Sequence, residues 1–384
     1  MGSGIAQSIF KYGYDVTLYD TDSLSVSRAI HMIRSKARRS MNPDLVRGAS
    51  DLNSALDHCD LVIEAIFEDM DAKCELFSRL GKVAAKATIF ATNTSSLSIS
   101  KLAEASGRAD RFLGLHFFNP PLIMRLVEVI GQPDLDREIL DAVLDFVSGI
   151  KKQAVFCRES PGFIVNRILL PVINEAFHIL QRHINRGENE IEAANRIDST
   201  ITSEGILLMG PFDLADLTGL DTIEHVSNII YEGFAENPRY AKAPLLEQHF
   251  KAGHLGRKSG RGIYYYGNHE NDPDLNPRLD AGGQALTDAP SRDFDTLDFV
   301  SVIINEAFRV VEEGIVDDFR HIELAMELGT RWPKGPFRLA KEIGPSKVKD
   351  RVKQMYDESV RTPRYEPSRL FDDLPLSISE YFNK

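Results

Sequence analysis

The sequence contains little cysteine, no long apolar run and no excess of basic residues. Its three cysteines, Cys59, Cys74 and Cys157, are widely spaced, so they suit neither a disulfide framework nor a set of metal ligands. No apolar run approaches the ~18 residues of a membrane-spanning helix. The beginning of the sequence also lacks the basic-then-apolar order of a signal peptide. We therefore expect a cytoplasmic protein with no metal site and no membrane span.

The charge balance argues against nucleic acid as a partner. The 384 residues include 45 Lys and Arg against 57 Asp and Glu, for a net charge of −12, whereas binding to phosphate backbones needs a positive field. Hydrophobic residues make up 43% and charged residues 27% of the chain, as in ordinary globular proteins. The length allows two or three domains with sizeable cores.

Apolar runs separated by helix-length segments fill the first part of the chain. We interpret five of them as strands, at 15–20, 61–66, 88–93, 112–117 and 126–130. Near-continuous apolar strands that alternate with helices indicate a parallel sheet covered on both faces. The predicted fold class is therefore α/β with a doubly wound, Rossmann-type sheet, which binds ligands at the carboxyl ends of its strands.

A repeated motif marks the second part, where apolar residues recur three and four apart as in helices. Ile-Asn-Glu-Ala-Phe occurs at 173–177 and again at 304–308, and each copy is followed by Gly-Pro-Phe, at 210–212 and 335–337. The same two motifs in the same order indicate two all-helical domains related by duplication. A segment rich in Pro, Gly and Asp separates them and reads as a linker. The predicted domains are 1–158, 159–275 and 290–384.

The N-terminus carries part of a dinucleotide-binding pattern. In such units the last glycine of Gly-x-Gly-x-x-Gly opens a helix, and an acidic residue ~20 positions on binds the ribose hydroxyls. Gly2 and Asp20 fit these two positions, while the first strand and the first two glycines are missing. An ordinary helix that begins Gly-Ser-Gly fits the segment about equally well. If the dinucleotide interpretation holds, the charge of Asp20 favours NAD over NADP.

His116 is the candidate catalytic residue. A lone histidine among aromatic residues is more often a hydrogen-bonded core residue, but His116 lies at the end of an apolar strand, where α/β sheets bind ligands. Glu128 is the one acidic residue in the apolar run 126–130, and a buried carboxylate needs a partner. A carboxylate that orients the imidazole and stabilises its conjugate acid is what a general base requires.

Two further polar sites are weaker candidates. Ser95, within Asn-Thr-Ser-Ser at 93–96, offers a hydroxyl donor after another strand end, although this segment also suits the N-cap of the following helix. Asn166 is a polar side chain on an otherwise apolar helical stretch. It would equally suit an ordinary hydrogen bond between helices.

These segments together resemble the 3-hydroxyacyl-CoA dehydrogenase family over nearly the whole chain. Four motifs occur in the family's order and spacing: Asn-Thr-Ser-Ser-Leu at 93–97, His-Phe-Phe-Asn-Pro at 116–120, Val-Glu-Val at 127–129 and Ser-Pro-Gly-Phe-Ile-Val-Asn-Arg at 160–167. The resemblance implies NAD-dependent, reversible oxidation of (S)-3-hydroxyacyl-CoA in fatty-acid β-oxidation. It implies an acyl-CoA thioester as substrate and other β-oxidation enzymes, such as an enoyl-CoA hydratase, as partners.

The resemblance also implies a role for each site residue. His116 would be the general base and Glu128 would orient it, while Ser95 and Asn166 would hold the substrate's oxygen and thioester region. The cofactor contacts implied in this way are Gly2, Asp20, Glu68, Lys73, Asn119 and Lys258.

The sequence departs from the family where its first strand is missing and where its helical domain is duplicated. Aligning the two Ile-Asn-Glu-Ala-Phe copies places Leu297 opposite Asn166, so we expect the second copy to be structural and to replace a partner subunit. Two alternatives are an inactive or detached dehydrogenase fragment of a multifunctional β-oxidation protein, and a sugar-acid (gulonate-type) dehydrogenase of the same superfamily.

Overall fold

The computed structural model describes residues 1–37, 41–266, 295–359 and 361–383. It divides into two compact units, Met1–Phe163 and Ile164–Lys384. The linker predicted between the two helical domains lies almost entirely outside the described residues, and so do the domain boundaries predicted at 275 and 290.

The first unit is built from strands and helices that alternate along most of its length. Its strands are β1 (Val16–Leu18), β2 (Val46–Gly48), β3 (Leu61–Glu64), β4 (Ile89–Thr92), β5 (Phe112–Phe117), β6 (Leu126–Gly131) and β7 (Gln153–Arg158). Its helices are α1 (Gly2–Phe10), α2 (Ser23–Ser35), α3 (Leu52–Ala55), α4 (Met70–Val83), α5 (Ile99–Ser106) and α6 (Arg137–Gly149).

The strands form two separate sheets. β1 pairs in parallel with β2, and the other five strands follow the order β3-β4-β5-β6-β7. β3, β4 and β5 are parallel, which confirms the predicted Rossmann-type core of the sheet. β6 runs antiparallel to β5, and β7 is parallel to β6. Only residues 118–125 join β5 to β6, which is too short for the crossover that a parallel pair would need.

Helices cover both faces of the larger sheet. Successive side chains of a strand point to opposite faces, so each strand packs against helices on both sides. On one face Leu115 of β5 belongs to a buried cluster with Ile5 of α1 and Val143 of α6. On the other face Phe112 of β5 packs against Phe77 of α4, with ring centroids 4.6 Å apart. All six residues of β5 and all six of β6 are buried, so both strands lie within the core up to their ends.

The second unit is all-helical, as predicted. The helices of the first copy are α7 (Val165–Asn185), α8 (Glu190–Ser203), α9 (Pro211–Thr218), α10 (Leu220–Gly233) and α11 (Pro244–Lys251). Those of the second copy are α12 (Thr296–Glu312), α13 (Arg320–Gly329), α14 (Pro336–Ile343), α15 (Pro345–Glu358) and α16 (Leu376–Asn383). Within the described ranges no helix combines the length and apolar character needed to cross a membrane.

Equivalent hydrogen bonds in the two copies confirm the duplication. Asp198 of α8 accepts a hydrogen bond from the backbone N–H of Phe212, at the start of α9, at 3.1 Å. Glu323 of α13 accepts the corresponding bond from Phe337, at the start of α14, at 2.6 Å. In both copies a buried carboxylate thus caps the helix that begins with the Gly-Pro-Phe motif.

Candidate active site

His116 and Glu128 form a buried pair at one end of the larger sheet. They lie opposite each other in the antiparallel register of β5 and β6, so their side chains project from the same face. Nδ1 of His116 lies 2.7 Å from Oε2 of Glu128, and the two residues are 7% and 0% exposed. A carboxylate buried this deeply needs a hydrogen-bonding partner, and the imidazole supplies it. The sequence interpretation placed both residues in the site without showing that they meet.

Aromatic rings surround the imidazole of His116. Its ring centroid lies 4.5 Å from that of Phe118 and 5.9 Å from that of Phe163. Because Nδ1 is bonded to Glu128, the ring is oriented and Nε2 is the nitrogen that can exchange a proton with a ligand. No described residue forms a hydrogen bond with Nε2. The arrangement suits a general base that works in an environment poor in water.

The loop after β4 is hydrogen-bonded both to β5 and to the segment that precedes α4. Asn93 Oδ1 accepts a 2.8 Å hydrogen bond from the backbone N–H of Phe117, next to His116. Glu68 Oε1 accepts hydrogen bonds from Thr94 Oγ1 at 2.5 Å and from the N–H and Oγ of Ser95 at 2.9 and 3.2 Å. Ser95, half-buried, is therefore held on the loop that is joined to the end of β5.

Lys73 links two carboxylates beneath this loop. Its ammonium lies 2.6 Å from Glu64 Oε1 and 3.3 Å from Glu68 Oε2, and the residue is 1% exposed. Burial raises the pKa of Glu68, but the hydrogen bond from Thr94 and the charge of Lys73 outweigh it and lower that pKa. Glu68 and Lys73 thus form one charged network with Ser95. Because Lys73 is buried, its charge affects this network through its contacts with Glu64 and Glu68.

The remaining predicted site residues are spread over both units. Gly2 opens α1, and the exposed Asp20 follows β1. Asn119 is exposed in the segment after β5. Asn166 lies in the first turn of α7, and Lys258 lies in a 3-10 helix of the second unit, where its ammonium is hydrogen-bonded to Asp221.

Two residues of the site region were missed by the sequence interpretation. Glu64 is the acidic end of the apolar strand β3 and accepts a 2.6 Å hydrogen bond from Thr92; the signal that identified Glu128, an acid in an apolar strand, applies to it equally. Lys152 is buried and donates hydrogen bonds to the carbonyls of Pro121 and Met124, at 2.5 and 2.6 Å. Burial, followed by the charge of Lys11, lowers the pKa of Lys152 to about 8.

No group of three His, Cys, Asp or Glu side chains placed to hold a metal ion occurs in the described parts of the chain. The three cysteines are free thiols.

Sequence profiles of known families match both units. The profile described as 3-hydroxyacyl-CoA dehydrogenase, NAD binding domain, matches residues 1–160. The profile described as 3-hydroxyacyl-CoA dehydrogenase, C-terminal domain, matches residues 162–266 and 298–376. The two segments of the second match lie in the two helical copies.

Individual relatives give the same result. The chain is 38% identical over 283 residues to human mitochondrial hydroxyacyl-coenzyme A dehydrogenase, which covers 69% of this chain and 88% of the relative. It is 37% identical to the 3-hydroxybutyryl-CoA dehydrogenase of Bradyrhizobium diazoefficiens, with 69% and 92% covered. The crystal structure of 3-hydroxybutyryl-CoA dehydrogenase from Escherichia coli K12 superposes with a TM-score of 0.85 at 26% identity, covering 99% of this chain and 97% of that one.

Proposed function

The chain belongs to the 3-hydroxyacyl-CoA dehydrogenase family, and on this basis we propose that it oxidises (S)-3-hydroxyacyl-CoA reversibly to 3-oxoacyl-CoA with His116 as the general base. Membership makes it an NAD-dependent oxidoreductase. The buried, hydrogen-bonded pair of His116 and Glu128 at the end of β5 is the observation that carries the proposed role of His116.

The residues of the first unit fit the binding of NAD. The first turn of α1 is Gly2-Ser3-Gly4, whose small side chains allow an anionic group to approach the helix N-terminus. The carboxylate of Asp20 is exposed after β1 and suits hydrogen bonds to ribose hydroxyls. We propose that these residues hold NAD together with Glu68, Lys73, Asn119 and, from the second unit, Lys258. When bound, NAD supplies the hydride acceptor.

The proposed role of the protein side chains is to bind the substrate and to move one proton. Nε2 of His116 accepts the proton of the 3-hydroxyl as the substrate carbon is oxidised, and Glu128 stabilises the resulting imidazolium through Nδ1. The hydroxyl of Ser95 holds the substrate oxygen, and Asn166 holds the thioester region. Glu68 and Lys73 support the site through Ser95, because Glu68 is bonded to that residue directly.

The substitution His116→Gln tests this assignment. It should lower the rate of NADH-dependent acetoacetyl-CoA reduction by roughly 10²–10⁴-fold, because the proton relay is lost while the fold is retained. His183→Gln is the matched control, since His183 is also buried and its Nδ1 lies 2.6 Å from a glutamate, Glu188, in the second unit. Full activity of His116→Gln would refute the role of His116.

The same assay separates the alternatives. A folded wild-type chain with no turnover would favour the inactive-fragment interpretation, and activity towards a sugar acid would favour the gulonate-type one. We propose fatty-acid β-oxidation as the metabolic context, with an enoyl-CoA hydratase among the partners. The cytoplasmic location stays a prediction from the sequence.

A further inference from the structure

The second unit buries two equivalent glutamates, one in each copy of the Ile-Asn-Glu-Ala-Phe motif. Glu306 of α12 is 1% exposed. Its Oε2 accepts hydrogen bonds from Arg239 Nε and Nη2 at 3.0 and 2.9 Å, and its Oε1 accepts one from the hydroxyl of Tyr240 at 2.9 Å. Arg239 and Tyr240 belong to the first copy, so this carboxylate of the second copy is held by side chains of the first.

The equivalent contacts occur in the opposite direction. Glu175 of α7, in the first copy, is fully buried and accepts a 2.8 Å hydrogen bond from the hydroxyl of Tyr365. Arg364 Nε lies 2.9 Å from its other oxygen. The pairs Arg239-Tyr240 and Arg364-Tyr365 each follow a proline in a 3-10 helix. The two copies therefore exchange the same Pro-Arg-Tyr segment.

Arg167 breaks this symmetry. Its Nε lies 2.5 Å from Glu306 Oε1, its Nη2 lies 2.9 Å from Glu313 Oε1, and the residue is 0% exposed. Its guanidinium also lies 4.2 Å from the ring centroid of Phe234. In the second copy the aligned position is Asp298, which pairs with Arg351. Glu306 thus has a third strong partner, contributed by the first turn of α7.

The two glutamates differ electrostatically as a result. Burial raises the pKa of Glu306, but the charges of Arg239 and Arg167 outweigh it and lower that pKa to about 2. For Glu175, burial prevails over the charges of Arg364 and Arg182, and its pKa is raised. Glu306 is therefore a negative charge that holds Arg167, whereas the further cation beside Glu175, Arg182 at 3.8 Å, lies on the same helix α7.

Arg167 directly follows Asn166 in α7. A side chain clamped between Glu306, Glu313 and an aromatic ring fixes the backbone to which Asn166 is attached. We propose that Glu306, from the second helical copy, is a positioning residue that places Asn166 for the substrate thioester through Arg167. The inference rests on the proposed contact between Asn166 and substrate, and it gives the second copy a share in the reaction.

The matched pair Glu306→Gln and Glu175→Gln provides the test. Both substitutions are isosteric, and each removes a buried charge bonded to the other copy. With acetoacetyl-CoA and NADH, Glu306→Gln should lower kcat/KM by roughly 10²-fold, as expected for an active-site group displaced by about 1 Å. Glu175→Gln should stay within about threefold of wild type. The Kd of NADH should stay unchanged in both variants, because Asn166 acts on the thioester.

Comparable losses in the two variants would show a general packing effect and overturn the proposal, as would wild-type activity of Glu306→Gln. Should Glu306→Gln fail to fold, Glu313→Gln replaces it, since the Glu313 side chain is 35% exposed and forms an ion pair with Arg167 Nη2. That variant should lower kcat/KM severalfold, and wild-type activity would then refute the proposal.

A double-mutant cycle with Asn166→Ala separates this inference from the proposed function. If Asn166→Ala alone leaves kcat/KM unchanged, the assigned role of Asn166 fails. If Asn166→Ala lowers kcat/KM, Glu306→Gln should have little further effect in that background, because both changes remove the same interaction. Multiplicative losses would leave the role of Asn166 intact and overturn the positioning role of Glu306.

Discussion

At the scale of single residues, the hydrogen bond between His116 and Glu128 determines which imidazole nitrogen can react. With Nδ1 held at 2.7 Å by a carboxylate, the neutral ring carries its proton on Nδ1 and presents the lone pair of Nε2. An amide in place of the carboxylate can donate to Nδ1 and so favour the opposite tautomer, with the proton on Nε2. The charge of Glu128 therefore matters as much as its shape.

We expect Glu128→Gln to lower kcat by roughly 10²-fold or more, with a much smaller change in KM, because the substitution disturbs proton transfer rather than substrate binding. Steady-state kinetics with acetoacetyl-CoA provide the measurement. Glu188→Gln, which removes the carboxylate beside the buried His183, controls for the loss of a His–Glu pair outside the site. A kcat equal to that of wild type would contradict the proposed role of Glu128.

A site residue could be predicted from the sequence when the pattern of residues around it indicated its role. Glu128 was detectable because a charged residue inside an apolar strand must find a partner. Lys152 was not detectable, because its partners are the carbonyls of Pro121 and Met124. Every residue has a backbone carbonyl, so the sequence does not indicate which carbonyls accept a hydrogen bond. The link between Arg167 and Glu306 was equally hidden, since it joins residues far apart in the chain.

At the scale of helices and strands, burying the charged carboxylates that cap α9 and α14 costs electrostatic free energy. Burial is the largest cause that raises the pKa of Asp198 to about 7, and it does the same for Glu323. Both values exceed those of an unfolded chain, so between about pH 4 and 7 the native state binds more protons than the unfolded state. Stability from these groups is therefore fully present below about pH 4 and is lost as the pH rises through 7.

Asp198→Asn should remove this pH dependence at one cap. Between pH 4 and 8 the free energy of unfolding of the variant should rise relative to wild type, by at most about 4 kcal/mol. Urea unfolding at several pH values measures the difference, and Glu323→Gln should shift it in the same direction. Parallel stability profiles for wild type and Asp198→Asn would show that the carboxyl does not titrate in this range.

The sequence largely predicted which segments form strands and which form helices, but it did not predict how the strands pair in the sheet. All five predicted strands are present, because long apolar runs bounded by helices have few other arrangements. β2 and β7 were missed; β2 is only three residues long, and only two of the six residues of β7 are buried. The reversal of β6 depends on the short connection after β5, which a reading of apolar patterns does not take into account.

At the scale of the whole molecule, the second helical copy covers a face of the first. α7 packs against α12, and Glu175 and Glu306 each bond to the opposite copy. We therefore expect the protein not to dimerise through α7. Light scattering coupled to gel filtration compares the mass in solution with that of one chain, 43.0 kDa, and a stable dimer formed through the first copy would contradict the expectation that the second copy replaces a partner subunit.

The exchange of Pro-Arg-Tyr segments determines how the contacts around Arg167 depend on protein concentration. When such segments belong to separate chains, their pairing weakens on dilution, and any site that depends on it becomes sensitive to protein concentration. Within one chain each segment meets its glutamate at a fixed effective concentration, of roughly millimolar order for tethered partners. The contacts around Arg167 should therefore persist at dilutions where an assembly of separate subunits would come apart.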